Sequence, residues 1–287
     1  MLSYAVVTPA RNERSNLDRL AAALIGQSLR PAEWVVVDDG SDDGTPEAVE
    51  ALAAEHSWIR LLRHGDRGGS LSEGRREGRD LIAFRAGISA LRRPADVVVK
   101  LDADTSFDPD YFAGLIGRFE EDPMLGIASG ACWELEDGRW VRRKVALTHP
   151  RGASRAYRWS LVDDVMALEP TMGWDGVDEI KAQLRGYRTR TFVDLAFLHH
   201  RPVGDREGRL RAGSALGRQA WYMGYRPTYL MLRALYRAKE NPASAAMIWG
   251  YASSAAARAP QCPDSQVVRR VREGQRLRVA LRVGAPP

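Results

Sequence analysis

Residues 4–8, Tyr-Ala-Val-Val-Thr, and residues 34–38, Trp-Val-Val-Val-Asp, are short apolar runs of the kind that forms buried strands. Between them, Ser15–Gln27 has the spacing of an amphipathic helix. The alternation continues with helical spacing at Thr45–His56 and a further apolar run at Ile59–Arg63. The pattern predicts a βαβαβ start and therefore a parallel, doubly wound sheet with helices on both faces.

Polar and turn-forming residues follow three of the apolar runs. Pro9-Ala10-Arg11-Asn12-Glu13 comes after the first, Asp38-Asp39-Gly40-Ser41 after the second, and Asp102-Ala103-Asp104 after the run Val97–Leu101. The carboxyl ends of the strands form the ligand crevice in open parallel sheets. These three segments therefore predict one binding site.

The composition is that of a soluble globular protein. Hydrophobic residues make up 45% and charged residues 28% of the 287 residues, which excludes a disordered chain and allows a core that needs no disulfide or metal staple. The two cysteines, Cys132 and Cys262, are far apart and have no metal-ligand spacing. Because neither a run of 18 apolar residues nor a basic leader is present, we expect a cytoplasmic protein.

Charge is distributed unevenly along the chain. Residues 1–130 contain 15 Lys and Arg against 22 Asp and Glu, whereas the remainder contains 27 basic and 15 acidic residues. The excess of +12 fits a nucleic acid, an anionic membrane surface or a phosphorylated substrate, and charge alone does not choose among them. Arginines between 269 and 282 lie among Val and Leu in a predicted helical tail, which fits either a solvated helix face or contact with a membrane surface.

The second half of the chain predicts a mixture of elements. They are strands at Gly126–Trp133 and Arg190–Asp194 and helices at Arg151–Leu168 and Gly173–Leu184, the last ended by Gly186. Beyond Gly213 the spacing is helical throughout.

Asp102 and Asp104 are the sharpest chemical feature of the sequence. Two carboxylates one residue apart at a strand end can bind a hard divalent cation, Mg²⁺ or Mn²⁺, that bridges the oxygens of a diphosphate. The same residues fit an acidic turn that caps the helix starting near Asp108. Their context decides between the two interpretations.

In their order and intervals, the three strand-end segments resemble the family 2 glycosyltransferases, which have the GT-A fold. The resemblance covers about residues 1–200. It implies an α/β, GT-A-type doubly wound and mostly parallel sheet with helices on both faces, extended here by C-terminal helices. The implied domains are a glycosyltransferase domain, residues 1–205, and a helical basic subdomain, residues 206–287. The first would divide into a nucleotide-binding half, 1–104, and an acceptor or catalytic half, 105–205.

The resemblance also implies how the donor is bound. In the family, the Pro-x-x-Asn-Glu loop and the second acid of Asp-Asp-Gly-Ser touch the nucleoside, and D-x-D binds metal and diphosphate. The corresponding candidates here are Pro9, Ala10, Arg11, Glu13 and Asp39 for the nucleoside and Asp102, Ala103 and Asp104 for the metal and diphosphate, with Arg79 as a further diphosphate contact. One departure is visible: members often carry Asn-x-Gly before D-x-D, where this chain has Phe84-Arg85-Ala86-Gly87.

The segment Trp174-Asp175-Gly176-Val177-Asp178-Glu179 offers a general base. Inverting transfer requires a carboxylate that accepts the proton of the attacking hydroxyl. Asp178 stands four residues after Trp174, where related enzymes carry an acid, and is the first candidate. Counting back from Gly186 favours Asp175, and Glu179 is a third candidate. Acids in the first turn of an ordinary helix would look the same.

A histidine is expected to complete the metal site. His199 follows Gly186 by 13 residues, which matches the spacing of a metal-site histidine in many family members, although the neighbouring His200 leaves the choice open. Arg201 is placed to neutralise the leaving diphosphate.

The sequence excludes two common nucleotide-binding classes. It has neither G-x-G-x-x-G after the first strand nor G-x-x-x-x-G-K-[ST] anywhere. A sugar nucleotidyltransferase and a non-catalytic nucleotide-sugar or partner-binding module remain as alternatives.

We predict an inverting, Mn²⁺- or Mg²⁺-dependent glycosyltransferase with a nucleotide diphosphate sugar donor, UDP-linked by preference. The expected acceptor is a sugar or lipid-linked sugar of bacterial polysaccharide or glycoconjugate synthesis. No nucleic acid partner is expected, and the C-terminal helices would give peripheral contact at the inner membrane face.

Overall fold

The computed structural model describes residues 1–65, 78–136, 138–143, 146–171, 173–201, 208–239 and 241–275. The predicted boundary between residues 205 and 206 lies outside these residues, as do the tail arginines beyond residue 275. The strands are β1 (Tyr4–Ala10), β2 (Glu33–Asp38), β3 (Ile59–Arg63), β4 (Val97–Leu101), β5 (Thr105–Phe107), β6 (Leu125–Glu136), β7 (Arg139–Arg142), β8 (Ser154–Arg158) and β9 (Arg188–His199).

The helices alternate with strands in the first half of the chain and follow one another in the last part. They are α1 (Arg14–Ile25), α2 (Thr45–Glu55), α3 (Arg79–Ser89), α4 (Tyr111–Glu121), α5 (Trp159–Met166), α6 (Trp174–Leu184), α7 (Arg209–Tyr222), α8 (Pro227–Ala238), α9 (Ala246–Ala256) and α10 (Ser265–Gly274), with a 3₁₀ turn at Pro242–Ala245. None of the described helices is both long and apolar enough to cross a membrane.

The strands form one sheet in the order β3-β2-β1-β4-β8-β6-β9-β5, with β7 paired to β6. The four strands from β3 to β4 are parallel, as predicted. Beyond β4 the sheet is mixed: β8 is antiparallel to β4 and β6, β9 is parallel to β6, and β5 is antiparallel to β9. Because β1 lies between β2 and β4, the carboxyl ends of these three parallel strands, which carry the polar segments, are neighbours. The end of β9 pairs with β5, which directly follows the Asp102–Asp104 segment.

The prediction of a helix over Arg151–Leu168 is wrong in its first part. Ser154–Arg158 is strand β8, and the helix begins only at Trp159. The side chain of Arg155 is fully buried within β8, and its Nη2 donates to the carbonyl of Pro150 at 2.6 Å. The strand is not recognised from the sequence, because Arg155 interrupts the apolar run that is typical of a buried strand.

The core lies against the parallel strands. All five residues of β4 are buried, and Leu17, Leu20 and Leu24 of α1 have no exposed surface. Trp34 of β2 is also fully buried, and its indole donates to the hydroxyl of Thr8 at 3.0 Å. These contacts fix the strands whose carboxyl ends carry the polar segments.

The chain divides into two compact units. The first comprises Met1–Pro170 and Ala182–Pro202, and the second comprises Thr171–Lys181 and Val203–Pro287. In the second unit α7 and α9 touch backbone to backbone, because a Cβ at Gly217 would lie 2.0 Å from the carbonyl oxygen of Met247. The helical nature predicted beyond Gly213 is confirmed for the described residues, which end at residue 275.

We predict that Gly87→Ala destabilises the first unit. A Cβ at Gly87 of α3 would lie 2.3 Å from Val7 Cγ1 and 2.9 Å from Val37 Cγ2, so the helix would have to move off the sheet. The expected loss is about 1–3 kcal/mol in the free energy of unfolding, measured by chemical denaturation. Gly117→Ala in α4 is the control, because no atom of the described residues lies within 4 Å of its added Cβ. It should be neutral or stabilising by up to about 1 kcal/mol. Equal effects of the two substitutions would contradict the packing argument.

Candidate active site

The loops that follow β1 and β2 are joined by hydrogen bonds. Asn12, which adopts a left-handed φ of 55°, donates its amide to Ser41 Oγ at 2.9 Å and accepts from the Asp42 amide at 3.0 Å. The Glu13 amide donates to Thr45 Oγ1 at 2.9 Å. The two predicted nucleoside-binding segments are therefore held together by hydrogen bonds.

One of the nucleoside candidates, Ala10, joins these loops through its backbone. Ala10 is buried, and its carbonyl oxygen accepts from the amide of Asp39 at 2.9 Å. Pro9 and Arg11 are half-buried beside it. Ala103, the middle residue of the D-x-D segment, is also buried. The contribution of Ala10 and Ala103 is thus packing of the loops.

Asp39 and Arg79 form a paired contact at the end of β2. Arg79 Nε lies 2.7 Å from Asp39 Oδ2 and Nη2 lies 2.9 Å from Oδ1. Both side chains are mostly buried. Gly65 is required beside them, because its φ is 87° and a Cβ there would lie 2.5 Å from Asp39 Oδ1. A guanidinium gripping both oxygens fixes the plane of the carboxylate.

The two aspartates of the D-x-D segment differ in exposure. The Asp102 side chain is 30% exposed, and its Oδ1 lies 2.6 Å from Nζ of the buried Lys100. The Asp104 side chain is only 8% exposed. The turn itself is held by Thr105 Oγ1, which donates to the carbonyl of Asp102 at 2.8 Å.

Strand β9 brings His199 to these aspartates, because His199 is the register partner of Thr105 in β5. His199 Nε2 lies 3.3 Å from Asp104 Oδ1. Ligand atoms of Asp102, Asp104 and His199 all lie within 4.8 Å of one another. Two carboxylates and an imidazole form a donor set that suits Mn²⁺ and can accept Mg²⁺. The three predicted metal ligands are therefore together.

His200 points elsewhere. Its Nε2 lies 2.7 Å from Ser106 Oγ, and its ring meets Trp140 edge to face at 5.2 Å between centroids. The geometry thus favours His199 over its neighbour as the metal ligand.

Arg201 links the end of β9 to the loop after β1. Its Nη1 and Nη2 lie 2.9 and 2.7 Å from the two carboxylate oxygens of Glu13, and Nη1 lies 3.3 Å from Asp104 Oδ2. Hydrogen bonding to Glu13 raises the pKa of Arg201, outweighing its burial. A predicted nucleoside residue and a predicted diphosphate residue are therefore held against each other, beside Asp104.

The charges of the cluster shift its titration. Burial opposes the charge of His199, but the Asp104 and Glu134 carboxylates outweigh burial and raise the pKa of His199 to about 9. Burial likewise opposes ionisation of Asp104, yet His199 and Arg201 lower its pKa. The cluster consists of alternating opposite charges rather than isolated acids.

Glu134 is a member of the cluster that the sequence interpretation missed. It is fully buried in β6, and Arg143 Nε and Arg151 Nη2 lie 2.7 and 3.1 Å from its oxygens. Its Oε1 is 3.6 Å from His199 Nδ1, an atom that has no hydrogen-bond partner at ordinary distance among the described residues. Burial opposes its charge, but His199 and Arg143 lower the pKa of Glu134 to about 2. An acid at a period-two position of an otherwise buried strand is the signal that could have revealed it.

A second group of possible ligands, Cys132, Glu134 and His199, lies on the other side of the imidazole. Burial raises the pKa of the Cys132 thiol to about 11, and metal ligation requires the thiolate. The oxygens of Glu134 already serve Arg143 and Arg151. The aspartate side of His199 is accordingly the better metal site.

The three base candidates lie at the start of α6, in the second unit. Asp178 is fully buried, and its Oδ1 accepts from the Glu179 amide at 2.6 Å. Glu179 is also buried, whereas Asp175 is half-buried. A base must be reached by the acceptor hydroxyl. Exposure therefore favours Asp175 among the three.

We predict that Glu134→Gln weakens Mn²⁺ binding about 10- to 100-fold, because residues that orient a ligating histidine carry effects of this size. Calorimetric titration with Mn²⁺ measures the affinity, and the thermal unfolding midpoint checks that the variant folds. Glu136→Gln is the matched control: Glu136 also lies on β6 and contacts Arg143 at 2.6 Å, but its side chain is 42% exposed. A folded Glu134→Gln variant with unchanged Mn²⁺ affinity would refute this role.

Known proteins resemble the chain in sequence over half to two thirds of its length. Polyprenol monophosphomannose synthase of Mycolicibacterium smegmatis is 30% identical over 198 residues, covering 67% of this chain and 64% of the relative. Glycosyltransferase AglD of Haloferax volcanii is 31% identical over 166 residues, covering 54% of this chain and 23% of the relative. The chain thus spans less than two thirds of the length of either relative.

Solved structures share the fold. Mannosyltransferase PcManGT from Pyrobaculum calidifontis, in complex with GDP-Man and Mn²⁺, matches with a TM-score of 0.59 and 19% identity over 98% of this chain and 84% of that one. GalNAc-T7 with UDP, GalNAc and Mn²⁺ matches with a TM-score of 0.63 and 14% identity over 100% of this chain and 58% of that one. These likenesses establish the GT-A fold predicted from the sequence.

The family assignment rests on a separate comparison. The model of Glycosyl transferase family 2 matches residues 5–163, more than half of the chain. This range includes the β1 and β2 loops, the D-x-D turn and Glu134. The chain belongs to glycosyltransferase family 2.

Proposed function

We propose that this chain is a metal-dependent inverting glycosyltransferase that moves a sugar from a nucleotide diphosphate sugar to an acceptor hydroxyl. The observation that carries the proposal is the convergence of Asp102, Asp104 and His199 within 4.8 Å, next to the interlocked loops after β1 and β2. Family membership supports the same reaction class.

The donor is held in two parts. The loops after β1 and β2, with Pro9, Arg11, Glu13 and Asp39, hold the nucleoside, and Arg79 fixes the Asp39 carboxylate in one plane. Asp102, Asp104 and His199 would hold Mn²⁺ or Mg²⁺. When bound, the divalent cation would supply positive charge to the diphosphate oxygens.

Arg201 serves the leaving diphosphate while it stays paired with Glu13. Two of its nitrogens are occupied by Glu13, but a guanidinium has five N–H donors. Its contact with Asp104 keeps it beside the metal ligands. A preorganised cation at the point where negative charge develops stabilises the transition state without reorganisation.

The transfer itself is a single displacement. A carboxylate of α6 accepts the proton of the acceptor hydroxyl, the hydroxyl oxygen bonds to the anomeric carbon, and the bond from that carbon to the diphosphate oxygen breaks. The nucleotide diphosphate leaves with the bonding electron pair. Exposure favours Asp175 as the base, with Asp178 and Glu179 as the alternatives.

The proposal extends to the nucleobase of the donor and to the kind of acceptor. UDP is the preferred nucleotide, although similar structures include one with GDP-Man as well as one with UDP. The name of the mycobacterial relative, a polyprenol monophosphomannose synthase, supports an acceptor carried on a lipid. We place the reaction in polysaccharide or glycoconjugate synthesis, with peripheral membrane contact through the C-terminal helices.

The non-catalytic binding module is the remaining alternative. It would keep the donor site but not turn the donor over. The sugar nucleotidyltransferase loses its support, because the matching family transfers the sugar and not the nucleotidyl group.

We predict metal-dependent binding of one nucleotide diphosphate. Calorimetric titration with UDP and with GDP, each with Mn²⁺, Mg²⁺ or EDTA, measures it. EDTA should abolish or strongly weaken binding, because Asp102, Asp104 and His199 would hold the cation that supplies positive charge to the diphosphate. Asp104→Ala should remove the metal dependence and abolish transfer. Absence of binding by either nucleotide to the folded protein would refute the donor site, and binding without turnover of any donor would favour the non-catalytic module.

We also predict that Asp175→Asn lowers kcat by about 10²–10⁴-fold, the usual contribution of a general base. The affinity for the nucleotide should stay unchanged, since the proton acceptor takes no part in donor binding. Asp178→Asn and Glu179→Gln are the comparison variants, each checked by thermal unfolding. A folded Asp178→Asn protein with the large kcat loss, beside a fully active Asp175→Asn protein, would assign the base to Asp178.

A further inference from the structure

One helix of the second unit presents apolar side chains to solvent. Met231, Leu232, Leu235 and Tyr236 of α8 are 51%, 51%, 58% and 47% exposed. Their spacing, i, i+1, i+4 and i+5, places them on one side of the helix. We call these four residues the outer face of α8.

The opposite side of α8 is an ordinary core face. Leu230 and Ala234 are buried and pack with Ala220 and Met247 of the neighbouring helices. The helix is therefore held by its inner side, and the outer face is left over. Further exposed apolar side chains of the same unit are Leu210, Ile248 and Trp249, the last 72% exposed. Clusters of exposed apolar surface mark interaction sites more often than isolated residues do.

The charge of this part of the chain is almost entirely positive. Between residues 208 and 263 the sequence has eight basic residues and a single acid, Glu240. Helices α7, α8 and α9 themselves contain no acidic residue. A partner that complements this segment must combine an apolar layer with negative charge. An anionic lipid bilayer has both at its headgroup boundary.

A cation of the outer face follows the end of α8, whereas the arginines of the helix lie toward its inner side. Arg233 and Arg237 stand three residues after the buried Leu230 and Ala234, and both are half-buried. Arg233 Nη1 lies 3.1 Å from the hydroxyl of Tyr225. Lys239 is exposed just after the helix, with its Nζ 6.0 Å from the ring centre of Tyr236. Long cationic side chains next to apolar ones can reach lipid phosphates while the apolar groups enter the acyl boundary.

We propose that the outer face of α8 is the surface by which this protein docks on an anionic lipid bilayer. The inference gives a location to the membrane contact of the proposed function, and in that respect it rests on that function. A second copy of this chain fits the face poorly, because a symmetric contact would bring two cationic surfaces together.

Helix α10, the described part of the predicted helical tail, is a weaker candidate for the same contact. Val267 and Val271 of α10 are buried, so the apolar side of this helix is already covered. Arg269 and Arg270 are exposed on its other side, which is a solvated helix face. The amphipathic pattern of the sequence therefore pointed to α10, whereas the uncovered apolar surface is on α8.

Vesicle flotation tests the proposal with the full chain. We expect binding to vesicles of phosphatidylcholine with phosphatidylglycerol, little binding to phosphatidylcholine alone, and weakening of binding by added salt. Leu232→Gln with Leu235→Gln should weaken binding at least about tenfold, because two apolar side chains no longer enter the lipid. The matched control is Leu147→Gln with Val193→Gln, two exposed apolar side chains of the first unit, which should leave binding unchanged.

A site-specific probe tests the location independently. Both native cysteines are buried, so an environment-sensitive dye on Leu235→Cys labels the outer face selectively. Its emission should shift to the blue when anionic vesicles are added, whereas the same dye on Val193→Cys should not respond. Equal responses at the two positions, or none, would refute the location.

Three flotation results would overturn the proposal. They are absence of vesicle binding, equal binding to neutral and anionic vesicles, and equal binding by the Leu232→Gln/Leu235→Gln protein and the unsubstituted one. A concentration-dependent dimer that the same double substitution abolishes, without vesicle binding, would reassign the face to self-association. Nucleotide titration is a separate readout, so vesicle binding without nucleotide binding would refute the donor site and leave the docking surface standing.

Discussion

Carboxylates crowd one edge of the sheet, and this crowding is stable only because each of them lies against a fixed cation. Asp102 contacts Lys100, Asp104 lies between His199 and Arg201, and Glu13 receives both ends of the Arg201 guanidinium. Unpaired acids so close together would repel and would resist burial. The pairing lets the chain keep several carboxylates close together at this edge of the sheet.

Glu134 extends this arrangement away from the site. It is fully buried and still ionised because Arg143 and Arg151 compensate the lost hydration. The result is a chain of alternating charges from the arginines through Glu134 and His199 to Asp104. Such a chain fixes the orientation of the imidazole from behind, which is the usual role of groups beyond the ligands of a metal site.

The sequence allowed the parallel half of the sheet and the GT-A fold to be predicted, because those strands are apolar throughout and end in recognisable turns. It did not reveal β8, where the buried Arg155 hides the strand. At the site, the convergence of Asp102, Asp104 and His199 followed from family spacing. The pairing of Glu13 with Arg201 joins residues 188 positions apart, and the choice between Asp175 and Asp178 depends on burial. Neither a pairing between distant residues nor the burial of a side chain can be read from the local sequence pattern.

The hydrogen bonds between the loops after β1 and β2 have a thermodynamic consequence. Side chains of Asn12, Ser41 and Thr45 bind backbone groups of the facing loop, so both loops are ordered before any ligand arrives. Ordering a loop upon binding costs conformational entropy that subtracts from affinity. In this protein the two loops are ordered when the chain folds, so a ligand that bound there would lose no affinity to loop ordering.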